Sequence, residues 1–133
     1  MEIREYKNYN EQEILNLYSS VGWTAYTDDP MSLKAGFQNS LLTLGAYEGG
    51  TLQGVIRTVG DGQTIVYIQD ILVLPEYQRR GIGTALVQAV LERFRDVTQI
   101  MLTTDNTPKT IAFYESLGFV QLTKMGCCGF MKA

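Results

Sequence analysis

The sequence predicts a mixed α/β fold, a partly antiparallel twisted sheet with flanking helices. Three observations predict it. Gly49-Gly50 and Gly60-Asp61-Gly62 separate three consecutive apolar runs, the spacing of an antiparallel meander. The third run enters a loop with two arginines and two glycines, followed by apolar residues at helical spacing. Two capping signals, Asn10 with Glu13 and Asp29-Pro30, open helices ahead of the meander.

In chain order, residues 2–6 alternate weakly and read as a first strand. Asn10 then starts a helix over 11–20 with Ile14, Leu15, Tyr18 and Val21 on one side. Asp29-Pro30 starts a second helix that ends near Asn39, with Met31, Leu33 and Phe37 as its apolar side. Strands follow at 41–48, 52–59 and 63–74. Residues 84–94 form a helix whose face carries Ala85, Leu86, Ala89, Val90 and Phe94. Residues 99–103 are a short buried strand. Thr107-Pro108 opens a helix over 108–117, and Gly118 stops it. Residues 119–124 and 127–132 read as a closing hairpin. The order is β-α-α-β-β-β-α-β-α-β-β, with the parallel part of the sheet where strands flank the 84–94 helix.

Composition narrows the function. At 133 residues the chain is one domain, 1–133, with no repeat or linker. Its 45% hydrophobic and 19% charged residues are those of a globular protein. A net charge of −3 argues against a nucleic-acid partner. No run is long enough to span a bilayer, and the N-terminus lacks the apolar stretch of a secretory signal, so a soluble cytoplasmic protein without a membrane partner is expected. There is no histidine, which removes histidine triads and most zinc sites, and no metal is expected. Cys127 and Cys128 are adjacent, too close to bridge readily, and read as reduced and buried.

The chemistry centres on Gln78-Arg79-Arg80-Gly81-Ile82-Gly83-Thr84. A helix start leaves backbone N–H groups without partners and carries partial positive charge. Glycine lets a phosphate approach closely, and two arginines add charge. A turn alone needs no Gly-x-Gly inside the first helical turn, where glycine weakens a helix. The Walker pattern fails because Thr84-Ala85 follows Gly83. The dinucleotide fingerprint fails because Leu86 stands at its third small position.

The stretch from Gln78 to Gly83 resembles the Gln/Arg-x-x-Gly-x-Gly/Ala element of the GNAT superfamily of N-acetyltransferases. The apolar strand ending Val73-Leu74-Pro75 resembles the one that precedes it there. Ile111-Ala112-Phe113-Tyr114-Glu115-Ser116-Leu117-Gly118-Phe119 is similar to the family's helix near the C-terminus. The resemblance implies a GNAT-type sheet and acetyl-CoA as co-substrate, its diphosphate on Gln78, Arg79, Arg80, Gly81, Ile82, Gly83 and Thr84. It implies that Leu72, Val73 and Leu74 line the pantetheine arm, which pairs with the strand as an added strand would. The Val73 N–H is then assigned to the thioester carbonyl and its developing oxyanion. Thr107 stands where the family often has an asparagine that contacts the arm. Tyr114 matches the tyrosine near the cofactor sulfur, a general-acid candidate.

Asp70 is the general-base candidate. On a regular strand it shares a face with Ile68 and Leu72, where partial burial makes a carboxylate a better proton acceptor; a bulge would reverse that facing. Glu76 is a weaker candidate in an exposed turn. Trp23, Tyr26, Asp28 and Asp29 border the acceptor side, where rings and carboxylates suit a cationic amine. The expected activity is direct acetyl transfer to a primary amine of a small molecule or peptide. The alternative is a non-catalytic acyl-CoA-binding or sensor module. Sheet edges and the closing hairpin leave a homodimer open.

Overall fold

The computed structural model describes residues 1–133. It divides into two compact units, Met1–Met101 and Leu102–Ala133. The first unit carries β1 (Glu2–Glu5), α1 (Glu11–Ser20), α2 (Thr24–Thr27), α3 (Pro30–Gln38), β2 (Leu42–Glu48), β3 (Thr51–Gly60), β4 (Ile65–Val73) and α4 (Ile82–Arg93). β5 (Gln99–Leu102) ends at the division, and the second unit adds α5 (Pro108–Ser116). The result is an open five-stranded mixed sheet in the order β1-β2-β3-β4-β5, with flanking helices.

Strands β1 to β4 pair antiparallel. At β5 the bonds run Thr98 N to Gln63 O and Gln99 N to Thr64 O, advancing together along both chains as parallel strands require. Neighbouring residues of β3 from Leu52 to Thr58 are all buried, so helices cover both faces of the sheet. One face packs Val55, Leu72 and Leu74 against Ile14, Leu17 and Tyr18 of α1 and Leu33 of α3. α4 packs over β2, β3 and β4 through Leu86, Val87 and Val90, all fully buried. At Gly54 the strands come very close: an added Cβ would lie 2.7 Å from the Leu72 carbonyl oxygen. No helix is long and apolar enough to cross a membrane.

The caps form, but the box at Asn10 closes only through Tyr6: Asn10 N donates to Tyr6 Oη, which donates to Glu13 Oε2. The Asn10 side chain accepts from Glu13 N at 3.0 Å, and Asp29 accepts from Ser32 N at 3.2 Å. Four expectations fail. The strand expected to be buried at 99–103 is β5, exposed at Gln99 and only half-buried at Ile100, Met101 and Leu102. The closing hairpin is absent: Leu122–Met125 form a 3-10 turn ended by Gly126 at φ 78°. Lys124 N bonds to Gln121 O, Gly126 N to Thr123 O and Cys127 N to Leu122 O, so local bonds consume donors that a strand ladder would need. Cys127 and Cys128 follow that turn in irregular chain and are exposed free thiols rather than buried ones. Met31 is 82% exposed, while Leu33 of α3 is buried in the core and Phe37 packs against it.

Candidate functional site

The arginine–glycine loop forms an anion-receptive corner between β4 and α4. After Leu74 the chain makes a 3-10 turn over Pro75–Tyr77 and straightens at Gln78. Backbone handedness then flips repeatedly. Arg79 has φ 66°, the only non-glycine residue with positive φ, Arg80 returns to negative φ, and Gly81 caps α4 at φ 80°. Such alternation tips successive N–H groups into an anion-binding concavity, and a strained non-glycine residue is a feature of functional sites. No side chain caps α4, and its first internal bond is Ala85 N to Gly81 O at 3.0 Å. The N–H groups of Ile82, Gly83 and Thr84 therefore lie ahead of the helical ladder. An added Cβ on Gly81 would meet nothing within 4 Å, so the space over the turn is open. Arg80 lies over the Tyr77 ring at 5.5 Å, and neither arginine of the loop is ion-paired.

The strand leading into this corner also has main-chain groups that β3 does not pair. Leu74 N bonds to Gln53 O at 2.8 Å, so Leu74 and Gln53 form a hydrogen-bonded pair. The ladder alternates, and Gly54 stands opposite Val73 and Ile56 opposite Ile71 as non-bonded pairs. The N–H and C=O of Ile71 and Val73 hence point away from β3. β5 stops at Leu102, three residues beyond Gln99, while β4 runs to Val73, nine beyond Thr64. Ile71 and Val73 outrun β5 and face an edge with no neighbouring strand. There the Gln78 side chain donates to Val73 O at 3.0 Å. Leu72 and Leu74 turn their side chains into the core instead.

Asp70 lies deeper in the same strand. A bulge skips Gln69 in the pairing with β3 and reverses part of the expected facing: Asp70 stands opposite Arg57 and faces α1 with Leu72, whereas Ile68 stands opposite Thr58 on the other face of the sheet. Three donors converge on one oxygen. Tyr18 Oη, Arg57 Nε and Arg57 Nη2 each reach Asp70 Oδ2 at 2.8 Å. Asp70 Oδ1 is buried with no partner. Burial pushes the Tyr18 pKa well above the ordinary tyrosine value, and the Asp70 charge adds to it. Burial opposes the Arg57 charge, but Asp70 and Tyr18 together outweigh it and hold its pKa above normal.

Arg57 also lines a cavity of about 350 Å³ with Tyr26, Asp29, Ser32, Leu33 and Gly36. Gln69 Nε2 donates to Tyr26 Oη at 3.3 Å, and the Tyr26 ring packs on Tyr18 and Trp23. This brings Tyr26 and Asp29, read from the sequence as acceptor-side residues, to one cavity. Asp29 is meanwhile engaged as the α3 cap. Arg57 and Tyr18 were not singled out from the sequence. An arginine inside an otherwise apolar run was the available signal, since such a charge needs a buried partner. Ile71 follows from Val73 by the two-residue period of a strand.

In the second unit, Thr107 caps α5, accepting from Thr110 N at 3.3 Å. Tyr114 is 9% exposed and packs edge-on against Phe113 and Phe119. Burial raises its pKa, partly offset by a hydrogen bond with Thr104.

The fold has known counterparts. The model of the Acetyltransferase (GNAT) family matches residues 9–119, and the chain belongs to that family. A ycf52-like uncharacterized N-acetyltransferase of Prochlorococcus marinus is 32% identical over 128 residues, spanning 91% of this chain and 68% of that protein. A GNAT-family acetyltransferase from Streptococcus pneumoniae has a structure similar to this one, with TM-score 0.90 and 36% identity, covering 99% of this chain and 96% of that one. A more distant fold neighbour is the PaiA N-acetyltransferase of Thermoplasma acidophilum, solved with coenzyme A, at TM-score 0.69, 16% identity and coverage of 90% and 89%.

Proposed function

We propose that this chain is an N-acetyltransferase moving an acetyl group from acetyl-CoA directly to a primary amine of a small molecule or peptide. The observation that carries the reading is the uncapped start of α4 behind Arg79 and Gly81, continuous with the strand-free edge at Ile71 and Val73. A diphosphate fits the first and an extended amide-bearing arm fits the second. The fold neighbour solved with coenzyme A supports the choice of ligand.

Acetyl-CoA, when bound, supplies the acetyl group as a thioester. The N–H groups of Ile82, Gly83 and Thr84 hold the diphosphate, with Gln78, Arg79 and Arg80 beside it. Val73 and Ile71 offer main-chain donors to carbonyl oxygens, and Val73 N–H serves the oxygen on which charge develops during attack. Leu72 and Leu74 keep the strand in place through their core packing. Asp70 takes the amine proton directly or through water. Its Oδ1 is the oxygen without a partner, since Oδ2 accepts from Tyr18 Oη and Arg57 Nε and is ion-paired with Arg57 Nη2. Thr107 contacts the arm. Tyr114 supports the departing thiolate. Its pKa is raised, so it keeps its proton at working pH. Taking cysteine as a stand-in for the coenzyme thiol, full transfer from even an ordinary tyrosine is uphill by roughly 2 kcal/mol, so Tyr114 acts by donating a hydrogen bond.

The test is coenzyme release, read by thiol detection, over a panel of small amines and peptide N-termini. Amine-dependent release is the expected result. Acetyl-CoA binding with no release across the whole panel would leave an acyl-CoA-binding module and overturn the enzymatic reading.

A further inference from the structure

We infer that Gln78 is a discriminating residue that stands in for the pantetheine arm, its carboxamide occupying the Val73 carbonyl that an arm amide must take. This rests on the acetyl-CoA reading above and concerns how the chain tells the complete coenzyme from its nucleotide end.

The geometry is local. Val73 C=O points away from β3, because Val73 and Gly54 are a non-bonded pair of the ladder. It faces the side on which β4 outruns β5, where no strand supplies a donor. Gln78 Nε2 supplies one at 3.0 Å. The 3-10 turn at Pro75–Tyr77 makes this reach feasible. Tyr77 N bonds to Leu74 O at 2.9 Å and Gln78 N to Pro75 O at 3.3 Å, folding the chain so that a side chain five residues on returns to the strand. The donor is a primary amide, the same chemistry as the secondary amide N–H groups of a pantetheine arm. One carbonyl oxygen has two lone pairs, but the Gln78 side chain lies along the path an added strand would follow. An arm that pairs with Val73 must displace it.

Displacement has a consequence for affinity. A ligand without an arm leaves the Gln78–Val73 bond intact. A ligand with an arm breaks it and forms its own. A net hydrogen bond of ordinary strength corresponds to a change of roughly two- to tenfold in a binding constant. In the native protein that factor is subtracted from coenzyme A and not from its armless end.

The experiment is calorimetric titration of the wild-type chain, Gln78→Ala and Gln78→Met with coenzyme A and with 3′-phospho-ADP, the armless nucleotide. The readout is the ratio of the two dissociation constants, coenzyme A over nucleotide. Neither substituent can donate to Val73 O. The methionine retains a side chain of similar length and adds no charge that would act differently on the nucleotide's terminal phosphate and the coenzyme's diphosphate diester. The ratio is expected to fall roughly two- to tenfold in both variants. An unchanged ratio, or one that rises because Gln78 itself holds the bound arm, overturns the inference and leaves the coenzyme reading standing. A wild-type chain that binds neither ligand sinks both.

Discussion

The α4 corner and the Asp70 cluster are built from opposite materials. The corner presents main-chain groups, with its glycine open to space and its helix uncapped. The cluster presents side chains, a fully buried carboxylate held by an arginine and a tyrosine drawn from β3 and α1. A site made of backbone tolerates side-chain change so long as φ and ψ are kept. A site made of buried charge depends on every member, because removing one leaves the others uncompensated.

Three measurements sharpen that contrast. The largest effect is expected at the ion pair. Arg57→Met strands Asp70 in the core and should cost about 3–5 kcal/mol in urea unfolding, whereas the double change Arg57→Met with Asp70→Leu should recover most of it. A small loss in the single variant would mean that the buried pair is not interdependent. Next comes the backbone corner. Gly81→Ala places a Cβ residue at φ 80° and should cost about 1–2 kcal/mol, with weaker coenzyme A binding and no change at the Asp70 cluster. Unaltered stability and affinity would show that the left-handed turn is dispensable. The smallest effect is a slope. Tyr18 has a raised pKa in the folded chain, so its contribution is complete below about pH 10, the ordinary tyrosine value. Above that pH the unfolded chain loses the proton first, and stability falls by about 1.4 kcal/mol per pH unit for each such tyrosine. Tyr18→Phe should flatten the alkaline decline by that amount. Parallel slopes in variant and wild type would remove Tyr18 from the linkage.

The same contrast explains what could be read from the sequence. The corner was legible because glycines and a capping pattern are local, and the meander, α4 and the cap of α5 all follow from neighbours in the chain. The Asp70 cluster was half legible. Period two gave its facing with Leu72 but not with Ile68, because a bulge intervenes, and its partners Tyr18 and Arg57 lie 52 and 13 residues away. Only the register of β3 on β4 and the docking of α1 bring them together. The C-terminal segment misled for a local reason. Residues 119–124 and 127–132 read as a hairpin, while Gly126 favours a tight turn that takes the donors first. The four-residue α2 carries no side-chain cap and no periodic apolar face, so residues 24–27 gave no helical signal.

Gly54 bears on all of this from behind. With no Cβ at Gly54, β3 lies close against the backbone of β4 at Leu72 and Val73. The open edge of β4 is thus backed by a residue on its far side, and a side chain placed there would press on the Leu72 carbonyl and the Val73 main chain.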